Sequence, residues 1–281
     1  MKNRICLAFL LAALPAATAR ADDTADKGRP IFATNQHAVV TIEAVVKSSY
    51  PGGAREPTEM KEDTIGTVLD PSGLTVLALS SVEPSELYRQ LSERYKGETE
   101  VSDLKLLLDD GTEIPAEIVL RDKDLDLAYL KPKTKPPAPM AWVDFSKSST
   151  VDLLDPVIVL NRLNRAAGRS CAASVGRMAA VVRRPRTYYV PDGNAGAISL
   201  GSPAFALNGK VVGIFVVRGV NAGDSSSRSP MRDYMTVILV PAEEVVKGAK
   251  EALEAKPAAS NPATAKEAKQ ELPPLSPHDG K

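Results

Sequence analysis

The sequence predicts an all-β chain: two six-stranded antiparallel β-barrels in tandem, followed by a short C-terminal helix. Three observations carry this reading. Twelve short runs rich in Val, Ile and Leu recur along the chain, separated by Gly, Pro, Asn and Asp turns. A stretch with four Pro and three Lys, Lys131 to Pro139, divides them six and six and reads as a linker. Helical signals appear in only two places, Pro84 to Tyr95 and the segment opened by Pro241.

The elements follow in order. Asp22 to Gln36 is polar and aperiodic and reads as a flexible arm, 22–37. Ala38 to Lys47 is the first strand, and Pro51 to Glu62 a polar loop. Thr64 to Leu69 and Gly73 to Ala78 flank the turn Asp70-Pro71-Ser72-Gly73. Leu87, Leu91 and Tyr95 recur every four residues, so Pro84 to Tyr95 reads as a helix. Leu104 to Leu108 and Ile114 to Leu120 form a hairpin around Asp109-Asp110-Gly111, and Leu125 to Lys131 closes the first barrel, about 38–131. The second barrel, about 151–240, takes Val157 to Leu160, Cys171 to Val182, Thr187 to Val190, Pro203 to Leu207, Val211 to Val217 and Tyr234 to Val240. Pro241 then opens a helix, 241–255, with Glu243 and Glu244 in its first turn, as the helix dipole favours. Residues 256–281 are rich in Pro, Ala and Lys and read as a disordered tail.

Composition bounds the function. Of 281 residues, 35 are Lys or Arg and 35 Asp or Glu, a balance that argues against a nucleic-acid partner. The two Cys are too few for a disulfide scaffold or a Cys-rich zinc module. Lys2 and Arg4 precede an apolar run, Ile5 to Leu14, that is too short to span a bilayer. Ala19-Arg20-Ala21 then fits a signal-peptidase site, so residues 1–21 read as a signal peptide cleaved after Ala21, with a secreted or periplasmic product. Cleavage leaves 32 basic against 35 acidic residues, and Cys171 as the single Cys. No later segment reads as transmembrane.

Three segments resemble the trypsin-like serine proteases of the HtrA/Deg type. Gly66-Thr-Val-Leu-Asp-Pro-Ser-Gly73, followed by Leu-Thr-Val-Leu-Ala-Leu-Ser80-Ser-Val82, is similar to the family's Gly-x-x-x-Asp-x-x-Gly, its strand and the catalytic His beyond. Arg121-Asp-Lys-Asp-Leu-Asp126-Leu-Ala-Tyr-Leu-Lys131 resembles the segment that holds the catalytic Asp. Asp192-Gly-Asn-Ala-Gly-Ala-Ile198-Ser-Leu200-Gly-Ser-Pro203, leading to Asn208-Gly-Lys-Val-Val-Gly-Ile214, resembles the nucleophile loop and its hairpin. The resemblance covers 38–248. It implies trypsin/chymotrypsin-type barrels without C-terminal PDZ domains.

Residue by residue, the resemblance implies a degenerate triad. Asp126 keeps the acid position. The His position falls on Ser80, or on Ser81 if the register slips by one. The nucleophile position falls on Leu200, and the oxyanion-hole glycine two places earlier is Ile198. A serine hydroxyl is a weak nucleophile without an adjacent base. His37 precedes the first strand and His278 lies in the tail, so neither is placed to serve a serine in the second barrel.

Other candidates have plainer readings beside the functional ones. Without its His, Asp126 is read as a buried carboxylate held by hydroxyls such as Ser80 or Ser81. Ser199 and Ser202 flank the lost nucleophile and read as ordinary loop hydroxyls. Cys171, in an apolar run, reads as a small buried hydrophobe rather than a reactive thiol. Between Pro156 and Pro191 lie seven Arg (162, 165, 169, 177, 183, 184 and 186) and no carboxylate. They read as solvated loop residues or as an anion-binding surface, with Arg183, Arg184 and Arg186 the densest part. No metal-ligand spacing or cofactor motif is recognised. The expected function is a secreted, inactive protease homologue that binds a protein or peptide. The alternative is an active serine endopeptidase with a rearranged site.

Overall fold

The computed structural model describes residues 23–51, 56–92, 95–193, 199–221 and 234–255. The signal-peptide reading, Ile198 and the tail 256–281 lie outside them. The expected all-β fold is present as two closed six-stranded antiparallel barrels. In the first, the strands run β1 (Val39–Ser49), β2 (Thr58–Val68), β3 (Thr75–Ala78), β4 (Glu98–Leu107), β5 (Glu113–Asp122) and β6 (Leu127–Pro132). They close in the order β1-β2-β3-β6-β5-β4. The second is built from β7 (Pro156–Arg162), β8 (Cys171–Val182), β9 (Tyr188–Pro191), β10 (Pro203–Ala206), β11 (Val211–Gly219) and β12 (Met235–Pro241). Its order is β10-β11-β12-β9-β8-β7. Helix α1 (Asp23–Asn35) precedes the first barrel, α2 (Pro84–Leu91) follows β3, and α3 (Ala242–Glu254) follows β12. Among the described residues no helix is long and apolar enough to cross a membrane.

Several strands are apolar without interruption because both of their faces are buried. Successive side chains leave a strand on opposite sides. In β6, Ala128 and Leu130 point into the first barrel with Ile42 and Leu106, while Leu127 and Tyr129 point into the seam between the barrels. In β7, Val157 and Val159 fill the second barrel with Phe215, while Ile158 and Leu160 enter the same seam. The seam also receives Phe205, Val216 and Val245. The two barrels and α3 therefore share one continuous apolar core. Tyr129 fastens α3 to it: its buried hydroxyl donates to the Val245 carbonyl at 3.0 Å. A Cβ on Gly248 would lie 2.3 Å from that hydroxyl, so only glycine lets the helix come this close.

Four segments differ from the sequence reading: the helix read over Pro84 to Tyr95 ends at Leu91, the strand read from Leu104 begins at Glu98, and two more change character. The arm 22–37 is not loose: Asp23–Asn35 is helical and Gln36–Ala38 a 3₁₀ turn. The helix has no strong apolar period and carries Pro30 inside it; burial of Ile31 and Gly28, the latter facing Ile158, holds it on the seam. Packing, not propensity, makes this helix. The loop assigned to 51–62 is shorter, because β2 begins at Thr58 and continues its ladder to Ser48 of β1 through exposed residues. Backbone pairing needs no apolar alternation, so that extension left no mark in the pattern.

Candidate functional site

Asp126, expected from the sequence to keep the family's acid position, is held from both barrels. Asp126 sits in the tight approach to β6 with φ +56°, a conformation Asp tolerates better than most residues. Its Oδ1 accepts from the Ser80 N–H at 2.7 Å. Its Oδ2 accepts from the Ser80 hydroxyl at 2.8 Å and from the Val217 N–H of β11 at 2.9 Å. Its carbonyl accepts from the Leu79 N–H at 2.9 Å. No cation faces the carboxylate in this set. Burial pushes the carboxyl up to about 6, against the opposing pull of the hydrogen bonds from Val217 and Ser80. Asp126 thus links the 3₁₀ turn Leu79–Ser81 to the second barrel.

The two alternatives for the His position have different surroundings. Ser80 is bonded to Asp126, whereas Ser81 lines the large cleft together with Leu200 and Ser199. That cleft, of about 870 Å³, is walled by Thr64 and Ile65 of the first barrel and by Ala172 to Ser174 of the second. Leu200 is half-buried and packs against the inter-barrel core. Among the described residues lining the cleft there is no His, and no carboxylate faces a free hydroxyl: Asp63 is occupied by arginines. Ser202 does not enter the cleft. It is fully buried, and its hydroxyl oxygen has no hydrogen-bond partner among the described residues.

The loop expected to correspond to the family's nucleophile loop is seated by backbone. Gly201 has φ +86°, donates its N–H to Phe215 O at 2.7 Å and accepts the Thr67 hydroxyl on its carbonyl at 2.9 Å. Ser202 accepts from the Phe215 N–H at 3.0 Å. These contacts press the turn between β11 and the first-barrel strand β2, and so fix where the residue at 200 points.

The arginine run divides in a way the sequence did not reveal. Arg165 makes a two-pronged pair with Asp63 at 2.8 and 2.5 Å, and Arg169 reaches the same carboxylate at 2.8 Å. Glu43 lies 3.6 and 3.9 Å from the two guanidiniums. The buried Arg162 pairs with Asp109 and donates to Val39 O at 2.6 Å. Three of the seven arginines are therefore inter-barrel clamps whose acids come from the first barrel, not an anion surface. Arg165, with Arg169 and against the pull of partial burial, holds the Asp63 carboxyl down to about 2. Asp63→Asn is expected to lower stability by about 1–2 kcal/mol, less in high salt, by urea titration. Arg183, Arg184 and Arg186 are exposed at the far end of β8, and only Arg186 lines a cavity that Asp126 also borders.

Cys171 is not deep in the core. It is half-buried at the start of β8, and its Sγ lies 3.7 Å from the Gln36 carbonyl. His37, in turn, contacts the Asp109 carboxylate at the first-barrel hairpin. The sequence reading missed this convergence, as it missed Glu43, Asp63 and Asp109, because each partner lies far away in the chain.

The comparisons agree with this architecture. No curated protein matches the sequence. Among solved structures, Deg5 is similar at 16% identity, covering 81% of this chain and 94% of that one with a TM-score of 0.50. The protease domain of MamO from Magnetospirillum magneticum, in its apo form, is similar at 19% identity, covering 77% and 97% with a TM-score of 0.47. At such identities the likeness concerns the fold alone. The family model of the trypsin-like peptidase domain matches residues 23–214, more than half of the chain, and the chain belongs to that family.

Proposed function

We propose that this trypsin-like domain does not hydrolyse peptides and acts by binding an extended segment of a protein in the cleft between its barrels. The observation that carries this reading is Leu200: at the position of the family's nucleophile stands a side chain with no nucleophilic atom, packed on the inter-barrel core. Loss of the nucleophile alone lowers serine-protease turnover about a million-fold. The leader-like residues 1–21 support a binding role outside the cytoplasm. The exposed Arg183, Arg184 and Arg186 would add contacts for an acidic partner.

One observation favours the second reading, an active endopeptidase with a rearranged site. The Ser80 hydroxyl donates to a carboxyl raised to about 6, and a base of that strength is suited to activate a hydroxyl near neutral pH. Reaction with a fluorophosphonate probe, followed by peptide mass spectrometry, separates the two. Binding without hydrolysis predicts no labelled serine; stoichiometric labelling at Ser80 would overturn it in favour of the second. Leu200→Ser alone is expected to leave casein uncleaved, because among the described residues no imidazole stands by it. The minimum restoration is Ser80→His with Leu200→Ser, and Ile198→Gly is added if the oxyanion hole is still missing. Casein cleavage by the Leu200→Ser single variant would contradict this.

A further inference from the structure

A mixed set of donors converges at the seam, away from the cleft. Imidazole, carboxylate and thiol, from His37, Asp109 and Cys171, each offer a ligand atom within 4.8 Å of the others. They come from three separate parts of the chain: the 3₁₀ turn before β1, the hairpin between β4 and β5, and the start of β8. The His37 Nδ1 already touches Asp109 Oδ2. The His37 and Asp109 side chains are 59% and 35% exposed and border a cavity of about 290 Å³, while Cys171 borders a separate one of about 370 Å³.

We propose that His37, Asp109 and Cys171 form a binding site for a late transition-metal dication of the zinc class. One nitrogen, one oxygen and one sulfur donor suit a borderline-soft ion, and three protein ligands leave a fourth position for water. In a tetrahedral zinc site the donors stand roughly 3.3–3.8 Å apart, from bonds of about 2.0–2.3 Å. Reaching that spacing moves His37 Nδ1 and Asp109 Oδ2 apart and draws the farthest donors together, each by about an ångström. The Asp109 Oδ2 turns from His37 to the ion, while Oδ1 stays with Arg162. Arg162 is suited to orient that carboxylate, because its own guanidinium is buried and anchored to Val39 O and Arg169 O. On binding, the Cys171 S–H bond breaks, the thiolate keeps the electron pair and coordinates the ion, and the proton goes to buffer. The bound ion joins the N-terminal segment to both barrels. A hydrolytic role for the three groups is not implied, and the inference stands whether or not the cleft binds peptides.

The test uses the tag-free full chain carrying Cys6→Ser, so that Cys171 is its single thiol, titrated with Co²⁺ as a spectroscopic stand-in for zinc. The expected result is one Co²⁺ per chain, with a thiolate-to-cobalt charge-transfer band and a higher melting temperature. Cys171→Ser is expected to abolish the band, and His37→Ala to weaken binding by roughly tenfold or more. His278→Ala should change neither. Absence of the band, or binding unaltered by Cys171→Ser and His37→Ala, would overturn the assignment. So would rapid iodoacetamide alkylation of Cys171 in a protein that takes up no Co²⁺, which marks a reactive thiol instead.

Discussion

Gly201→Ala is expected to destabilise the protein by about 4 kcal/mol, combining two separate costs. The first is conformational: at φ +86° an L side chain is strained, at about 1–3 kcal/mol. The second is steric. The added Cβ would stand 2.1 Å from the Ile65 carbonyl oxygen and 3.0 Å from its carbon, and backbone atoms of a barrel strand do not swing aside as a flexible side chain does. Forcing them apart costs about a further 1–3 kcal/mol. The Thr67 hydroxyl bond to the Gly201 carbonyl and the Gly201 N–H bond to Phe215 would loosen together. In thermal melts the change should appear as a fall of roughly 8–16 °C. Gly111→Ala separates the two costs, because Gly111 has φ +83° but nothing within 4 Å of the added atom. That variant should lose only about 1–2 kcal/mol. Equal losses at the two positions would show that the close approach to Ile65 contributes nothing.

The same glycine illustrates what a reader of the sequence can and cannot extract. That a Gly-Ser-Pro turn precedes a strand at Pro203 is local, and so are the twelve apolar runs; the two barrels follow from them directly. The segments that resemble the family were legible because each is contiguous in the chain, and the contact between Ser80 and Asp126 matches the reading of that carboxylate as one held by a neighbouring hydroxyl. What escaped depends on partners distant in the chain. Seven arginines without a local acid looked like free positive charge, yet Arg165 and Arg169 meet Asp63 across the seam. Helix α1 escaped for the same reason: residues 23–35 have little helical period of their own and are held by Ile158 beneath Gly28. The packing of Leu200 on the seam was equally invisible, because an isolated Leu in a loop has no period to betray which face it buries.

Stability is expected to fall as pH rises from 4 to 7, with Asp126 as its source. The sign follows from the raised carboxyl. A group bound more tightly to its proton in the folded chain stabilises the fold fully below its unfolded value, near 3.8, and loses that contribution as pH rises through about 6. The difference of roughly two units corresponds to about 3 kcal/mol, at 1.36 kcal/mol per unit. Asp63 acts in the opposite sense and in another window: held near 2, it supports the fold above about 3.8 and withdraws that support only in stronger acid. The two windows meet near pH 4, so the maximum of stability should lie on the acid side of neutrality. Asp126→Asn is the decisive variant. Asn accepts the left-handed backbone at this position, and its amide oxygen can still receive the Val217 N–H and the Ser80 hydroxyl. Its NH₂ group instead faces the Ser80 N–H, a donor against a donor, at a cost of about 1–3 kcal/mol. In acid, where Asp126 is already neutral, the variant should therefore be less stable than the parent. At pH 7, where the parent carries a buried charge with no cation among its described hydrogen-bond partners, the two should nearly coincide. Urea titrations at pH 4, 5, 6 and 7 would show the parent losing stability across the series and the variant staying flat. A parent and variant with the same slope would mean that Asp126 ionises without penalty, and that its surroundings admit more water than the buried contacts with Ser80 and Val217 allow.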